Sequence, residues 1–548
     1  MAERAATEQV FVVADGVEPR ETPEVMGFKA WNLLRMARIG LPVPSAFVLG
    51  TPFCRAWFER GGSLPAGFRD LLAQNVRRIE AESGAGLGST RRPLLVSVRS
   101  GAPVSMPGML DTVLDVGLCE GVIRGMLRTS GNPRLVWDSY RRLIRSFAHV
   151  VCGCDEAPFE AALRECLARE GLARPQDLDF KRLEGLSLRY LDIYRECTGG
   201  VFPQDPFEQL EAAVEAVFRS WQSAKAAAYR RMEGIDDALG TAVTVQRMVF
   251  GNAGGTSGAG VAFTRNPATG ENELYMDYAA NAQGEDVVAG RHALAEPDAL
   301  RELLPQVFEV ILAVCAKLER EFGDAQEFEF TVQDGRLYLL QTRSGKRSAL
   351  AALRIAVEQV REGLIGPAEA LARLDALDLE SIRDQRIDAD PASALCRAVP
   401  ASAGVASGEI ALDCERAVQR AKAGANVILV REDIATEDIA GIQAARGILT
   451  GAGGRTSHAA VVARELEKVC LVGCRGLAID AAGRRLTLGK RRLREGDVIT
   501  LDGRSGGVFA GEVAASAEAP REYLAEVARW RAAGRAANGN LKDMAHDV

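Results

Sequence analysis

The chain has 548 residues, 47% hydrophobic and 26% charged, with a formal net charge of −7. At ~150 residues per domain that predicts three or four structural units, with apolar material for more than one core. The acidic balance excludes a general affinity for nucleic acid or an anionic membrane, so a polyanion site must be built locally. No run approaches the ~18 apolar residues of a membrane span, and the amino terminus lacks the apolar core of a secretory signal. Eleven cysteines, an odd number without metal-ligand spacing, suit reduced thiols rather than a disulfide framework. Cys152 with Cys154, and Cys470 with Cys474, are the close pairs, and neither has a second pair to complete a zinc set. A cytoplasmic protein is expected.

In chain order, residues 94–99 (LLVSVR) read as a buried strand. Helical periodicity dominates residues 121–231. Residues 242–250 (AVTVQRMVF) read as a strand, and a glycine-rich run follows at 251–261 (GNAGGTSGAGV). It lies between two strand-like runs and predicts a hairpin whose amides can approach phosphates, although glycine hairpins without a ligand are common. Residues 327–332 and 337–341 are strands joined through Asp334-Gly335, a strong hairpin signal. Residues 348–383 form a helical connector, and 388–393 (DADPAS) a linker. A compact unit follows over about 398–512, with strands at 427–430 and 447–450 and a helix from near Ser457. The tail holds a helix at 521–530 and is expected to fray from Gly534.

Four histidines are present. His149 lies on a helix face and is expected to be a packed core residue. His292 falls in a loop and His546 in the tail. His458 differs in setting: a strand, a glycine run, then Thr456-Ser457 at a helix start. Backbone N–H groups and the helix amino terminus would stabilise a phosphate there, and neutral imidazole is a good nucleophile near pH 7. Spacing alone leaves a phosphate carrier and a glycine turn with a surface histidine equally open. Lys29 opens a helix, Arg99 follows a buried strand and Arg343 ends another. Such cations can clamp phosphate oxygens, or simply be surface charges. Glu327 and Glu329 share a strand face, for which Mg²⁺ is an economical reason. Two carboxylates beside three cations describe a site for nucleotide phosphoryl transfer.

These motifs together resemble the pyruvate, phosphate dikinase family, and more distantly phosphoenolpyruvate synthase, from Gly27 to about Gly511. The resemblance rests on 39–44 (IGLPVP), 96–102 (VSVRSGA), 105–112 (SMPGMLDT), 261–267 (VAFTRNP), 281–290 (NAQGEDVVAG), 340–343 (LQTR) and 453–460 (GGRTSHAA). It implies an α/β and α+β multidomain fold. An ATP-grasp domain would cover 1–345, with a helical insertion at about 120–235. A connector at 346–395 would lead to a swivelling phosphohistidine β/β/α domain at 396–512, and a helix and tail at 513–548. It implies that Lys29, Arg99, Glu285, Glu327, Glu329, Gln341 and Arg343 hold ATP and Mg²⁺, with Glu327, Glu329 and Gln341 as the metal donors. Gly254, Thr256 and Ser257 would belong to the lid over the phosphates.

His458 would then be the carrier, with Lys29 and Arg99 as its catalytic helpers. The family histidine takes a pyrophosphoryl group from ATP and releases AMP; phosphate removes the terminal phosphoryl as pyrophosphate. Thr456 matches the threonine that a regulatory kinase phosphorylates in some members, where the added charge would repel phosphate. Phe28 stands where the family usually has a second glycine, Pro103 where a basic residue is common, and Glu327 replaces an aspartate. The family also ends in a TIM barrel for pyruvate or phosphoenolpyruvate, which takes ~250 residues, whereas eighteen follow Trp530. The expectation is therefore a phosphotransferase module, a homodimer, whose acceptor, pyruvate or another compound, sits on a separate barrel subunit. A nucleotide-binding regulatory remnant without turnover is the alternative.

Overall fold

Strand and helix formation in the first third follows from where apolar side chains can be hidden. Val48, Leu49, Val96, Val98, Val243 and Val245 are all buried, and their strands lie in one five-stranded sheet. Its order is Val10–Val13, Ala46–Leu49, Ala242–Arg247, Val96–Gly101, Thr112–Val116, antiparallel throughout. The computed structural model describes residues 9–14, 22–104, 106, 109–288, 297–434, 438–455 and 457–544. Their contacts form two units, residues 1–257 with 331–342, and residues 258–330 with 343–548.

In the first unit the expected helical stretch is present as helices from Glu120–Ser130 through Ala224–Glu233. Asn132 and Asp179 cap two of them, each side chain accepting a backbone N–H of the first turn. Phe202 is ringed by Tyr140, Phe147 and Tyr194 in edge-to-face contacts at 5.3–6.1 Å. Two expectations fail here. Cys154 and Cys197 are disulfide-bonded, joining the loop after Pro133–Val150 to the end of Phe180–Thr198. Their sequence separation of 43 hid the pair from local spacing. His149 is exposed rather than packed, because Leu143, Ile144 and Phe147 occupy the buried stripe of its helix. Its Nδ1 lies 3.1 Å from the Cys154 carbonyl.

A four-stranded sheet runs in the order Arg336–Ser344, Gln326–Gln333, Gly258–Phe263, Tyr275–Ala280. The Asp-Gly hairpin forms as expected, with positive φ at Asp334 (51°) and Gly335 (75°), the signature of a type I′ turn. The glycine run is not a hairpin. The strand before it is taken up by one sheet and the strand after it by another. Its last glycines instead serve packing: the Tyr278 and Phe330 rings stack with centroids 6.2 Å apart, over the space that a Cβ at Gly258 or Gly260 would fill.

An eight-stranded sheet follows, ordered Cys396–Arg397, Gly507–Ala510, Val498–Asp502, Val405–Ala411, Val427–Arg431, Gly447–Thr450, Val469–Val472, Val399–Ser402. The four strands starting at Val405, Val427, Gly447 and Val469 are parallel. Ile428 and Val430 enter one core and Val427 and Leu429 another, so this strand is continuously apolar because both faces are covered. The expected linker is short: Asp384–Ile387 before it pairs antiparallel with Ala515–Glu518, on the far side of the sheet in sequence, and Pro391–Ser393 makes a 3₁₀ turn. The tail does not fray at Gly534; its helix runs Arg521–Met544, the alanines outweighing glycines that each cost about 1 kcal/mol. Tyr523, Leu524, Val527 and Trp530 pack it against Leu353 and Leu374. No described helix is long and apolar enough to cross a membrane.

Replacing Gly260 by alanine would press a methyl into the Phe330 ring and to 2.7 Å from the Asp277 carbonyl. We expect a loss of about 1–3 kcal/mol, read as a lower urea midpoint for the second unit.

Candidate functional site

The segment that carries His458 begins where Gly447–Thr450 leaves the sheet. The Gly451 and Ala452 amides donate to the Arg431 and Glu432 carbonyls, and the Gly473 amide donates to Ala452. Thr450 Oγ1 donates to the Ala452 carbonyl at 2.6 Å. Gly453 has φ +94°, and a Cβ on Gly473 would come within 2.9 Å of the Gly453 carbonyl. Two glycines are thus needed for chain to lie against chain. Ser457 caps the helix His458–Glu465, its hydroxyl accepting the Ala460 N–H. His458 is therefore the first residue of an eight-residue helix, at the end whose dipole favours an anion. Thr456, the His458 side chain, His292 and His546 lie outside the described residues.

Two arginines that sequence reasoning passed over organise this loop. Arg464, only 1% exposed, donates through Nη1 to the carbonyls of Arg455 and Ala401, both at 2.9 Å. Its guanidinium sits 5.4 Å from the Phe263 ring, and its Nε and Nη2 find no hydrogen-bond partner among the described residues. Arg455 donates to the Met276 carbonyl at 3.2 Å and lies over the Tyr275 ring at 5.0 Å. Tyr275 in turn donates to the Pro400 carbonyl at 2.6 Å, and burial raises its pKa. The signal for Arg464 was present in the sequence: helix periodicity puts it one turn after, and on the same face as, the buried Ala460. A cation on an apolar stripe calls for partners.

The nucleotide candidates divide between the units. In the first, Lys29 is an exposed residue of the helix Phe28–Arg38. Gly27, with φ +78°, starts that helix in contact with the Gly101 carbonyl, where any side chain would clash, and the Phe28 amide donates to Ala102 at 2.9 Å. The residue at 28 thus enters the helix start through its backbone. Arg99, in the strand ending at Gly101, donates to the Leu340 carbonyl at 3.4 Å. Asn32 of the Lys29 helix donates to the Thr342 carbonyl at 2.9 Å. Lys29, Arg99 and the buried Gln341 are in this way tied to one locality. The glycine loop is anchored as well: Ser257, fully buried, accepts the Asp334 amide at 3.0 Å, and the Thr256 carbonyl accepts that of Gly335 at 2.9 Å. Thr256 is exposed and Gly254 half-buried, so they, not Ser257, are presented to solvent.

In the second unit Glu327 is buried and Glu329 half-buried on one strand face, while Glu285 is exposed in the short helix Gly284–Val288. Arg343 pairs with Glu327 at 2.6 Å. Burial lowers the Arg343 pKa, but the Glu327 hydrogen bond and the charges of Glu327, Glu329 and Glu465 outweigh it and raise it overall. Among the described residues no three carboxylate, histidine or cysteine side chains gather as a metal cage.

Residues 62–305 match the family model described as pyruvate phosphate dikinase, AMP/ATP-binding domain, and residues 423–506 match that described as PEP-utilising enzyme, mobile domain. The chain is 44% identical over 506 residues to pyruvate, phosphate dikinase of Rhizobium meliloti (strain 1021), covering 90% of this chain and 56% of that protein. It is 42% identical over 493 residues to the Clostridium symbiosum enzyme of that name, covering 89% and 56%. It is also 42% identical over 510 residues to pyruvate, phosphate dikinase 2 of Zea mays, covering 92% and 58%. The chain carries one domain that matches the pyruvate phosphate dikinase AMP/ATP-binding family and one that matches the PEP-utilising mobile-domain family. It spans a little over half the length of these relatives. The stretch matching the family's mobile domain holds Arg455, His458 and Arg464. The match to its ATP-binding domain holds Arg99, Gly254, Thr256, Ser257 and Glu285, while Lys29, Glu327, Glu329, Gln341 and Arg343 flank it.

Arg464→Met would leave the Arg455 and Ala401 carbonyls without these donors, each charged hydrogen bond contributing about 1.5–3 kcal/mol. It would also remove a buried charge, so global stability should change less than loop order. We expect amide exchange at Ser457 and Ala460 to accelerate about tenfold or more, with Arg464→Lys intermediate, as followed by hydrogen-exchange mass spectrometry.

Proposed function

We propose that the chain is an ATP-dependent phosphotransferase that phosphorylates its own His458. ATP would supply a pyrophosphoryl group to the imidazole, AMP would leave, and inorganic phosphate would take the terminal phosphoryl as pyrophosphate. The phosphohistidine would then serve pyruvate or another acceptor on a separate barrel subunit. The observation that carries this reading is the placement of His458 at the first turn of a capped helix, behind a doubly glycine-dependent loop, in a chain that also matches an ATP-binding domain. A helix amino terminus favours the anion that forms on the ring.

In this reading residues 1–345 are an ATP-grasp domain and 396–512 the phosphohistidine domain. Lys29, Arg99 and Arg343 offset the triphosphate charge, and Thr256 and Gly254 lie over it. Glu327, Glu329 and Gln341 offer hard oxygen donors. Two carboxylates and an amide suit Mg²⁺, which takes only a few protein ligands when phosphates and water complete its shell. Glu327 is also paired with Arg343, so metal binding at Glu327 competes with that ion pair. When bound, Mg²⁺ neutralises charge on the phosphates. Thr456, adjoining the cap, is where a regulatory kinase would add a charge that opposes phosphate.

The test is incubation with β-³²P-ATP, Mg²⁺ and phosphate. Acid-labile label should appear on the wild-type chain, AMP and pyrophosphate should accumulate, and chelating the metal should abolish both. Label retained by His458→Ala would overturn the assignment. Tight ATP binding without label or AMP would favour a regulatory nucleotide-binding protein instead.

A further inference from the structure

Two thiols lie together behind the histidine loop. Cys396 Sγ and Cys474 Sγ are 3.4 Å apart, although 78 residues separate them. Cys396 is half-buried in the two-residue edge strand Cys396–Arg397. A Cβ at Gly476 would sit 3.2 Å from the Cys396 Cβ, so the missing side chain there makes room for the pair. Cys474 is 1% exposed and donates its amide to the Thr450 carbonyl. Its neighbour Gly473 holds the Ala452 carbonyl of the histidine loop.

The two sulfurs differ in reactivity. A hydrogen bond from Cys396 holds the Cys474 thiol below its ordinary pKa against burial, helped by the Gly476 and Leu477 amides. The same bond, together with burial, raises Cys396. One thiol is thus reachable and the other is ready to act as thiolate, the division of labour of an attacked and a resolving cysteine.

We propose that Cys396 and Cys474 form a thiol–disulfide exchange site that takes small organic disulfides. The Cys474 thiolate takes the Cys396 proton across their hydrogen bond as Cys396 sulfur attacks one sulfur of the reagent, and the first thiolate of the reagent leaves and takes up that proton. Cys474 thiolate then attacks Cys396 sulfur and expels the second. Two protein thiols lose two electrons and two protons, and one disulfide becomes two thiols. The sulfurs must close from 3.4 Å to about 2.05 Å, a shift that a short edge strand can accommodate. The product ties the strand at the entrance of this sheet to the turn that supports the histidine loop.

The test treats the full chain with oxidised glutathione, quenches with acid, unfolds, alkylates free thiols and digests. Exposed Cys152 reports that the oxidant is active. We expect joint loss of alkylation at Cys396 and Cys474 and a cross-linked peptide containing both, reversed by reductant. In Cys396→Ser, Cys474 should remain fully alkylatable. Glutathione retained on Cys396 with Cys474 still free would overturn the proposal, as would both thiols surviving while Cys152 is modified. The readout is covalent, so it stands or falls separately from phosphoryl transfer at His458.

Discussion

A buried guanidinium holding two carbonyls is the contact on which the histidine segment depends. Arg464 is enclosed by the sheet edge, the loop and Phe263, and Nη1 alone joins Ala401 to Arg455. Burying a cation is costly unless it is hydrogen-bonded, and here two nitrogens gain nothing from the described residues. The charge is retained in the helix that begins with His458. Ser457 and the two glycines fix the backbone path; Arg464 holds that path down.

Around this anchor, aromatic and cationic side chains join the loop to the strand Tyr275–Ala280. Tyr275 both receives the Arg455 guanidinium on its ring and donates from its hydroxyl to Pro400. Lys346 pairs with Glu465 at 3.0 Å next to Arg464 in the helix, although both are well exposed and such a pair contributes little. Two part-buried hydrogen bonds, a guanidinium over a ring and a screened ion pair are combined here. That is a mixture suited to holding one arrangement without making it permanent.

Much of this was legible in the chain. Val427 to Val430, apolar at every position, read as a strand, and the structure covers it on both sides, while Asp334-Gly335 announced its turn. The glycine run misled because glycine spacing reports space and backbone freedom, not what uses them: Gly258 and Gly260 make way for rings at Tyr278 and Phe330 that are distant in sequence. Cys154 with Cys197, and Cys396 with Cys474, were hidden for the same reason, since a spacing rule sees only neighbours. His458 stood out through local pattern, but Arg464 was passed over because a helix charge reads as solvated until the packing around it is known. The partition of Lys29 and Arg99 from Glu327 and Arg343 likewise follows from long-range contacts.

The pairing of Asp384–Ile387 with Ala515–Glu518 limits how the residues between these strands could move as a unit. Four residue pairs in register bind the entering and leaving chain into one strip about 13 Å long. A module hung on a single flexible segment explores a sphere. One held by a paired strip behaves as a door on a hinge plate, turning about the strip with little freedom to drift. Larger rotation must bend the strip or unzip it from one end, so the number of intact pairs becomes a measure of how far the door stands open.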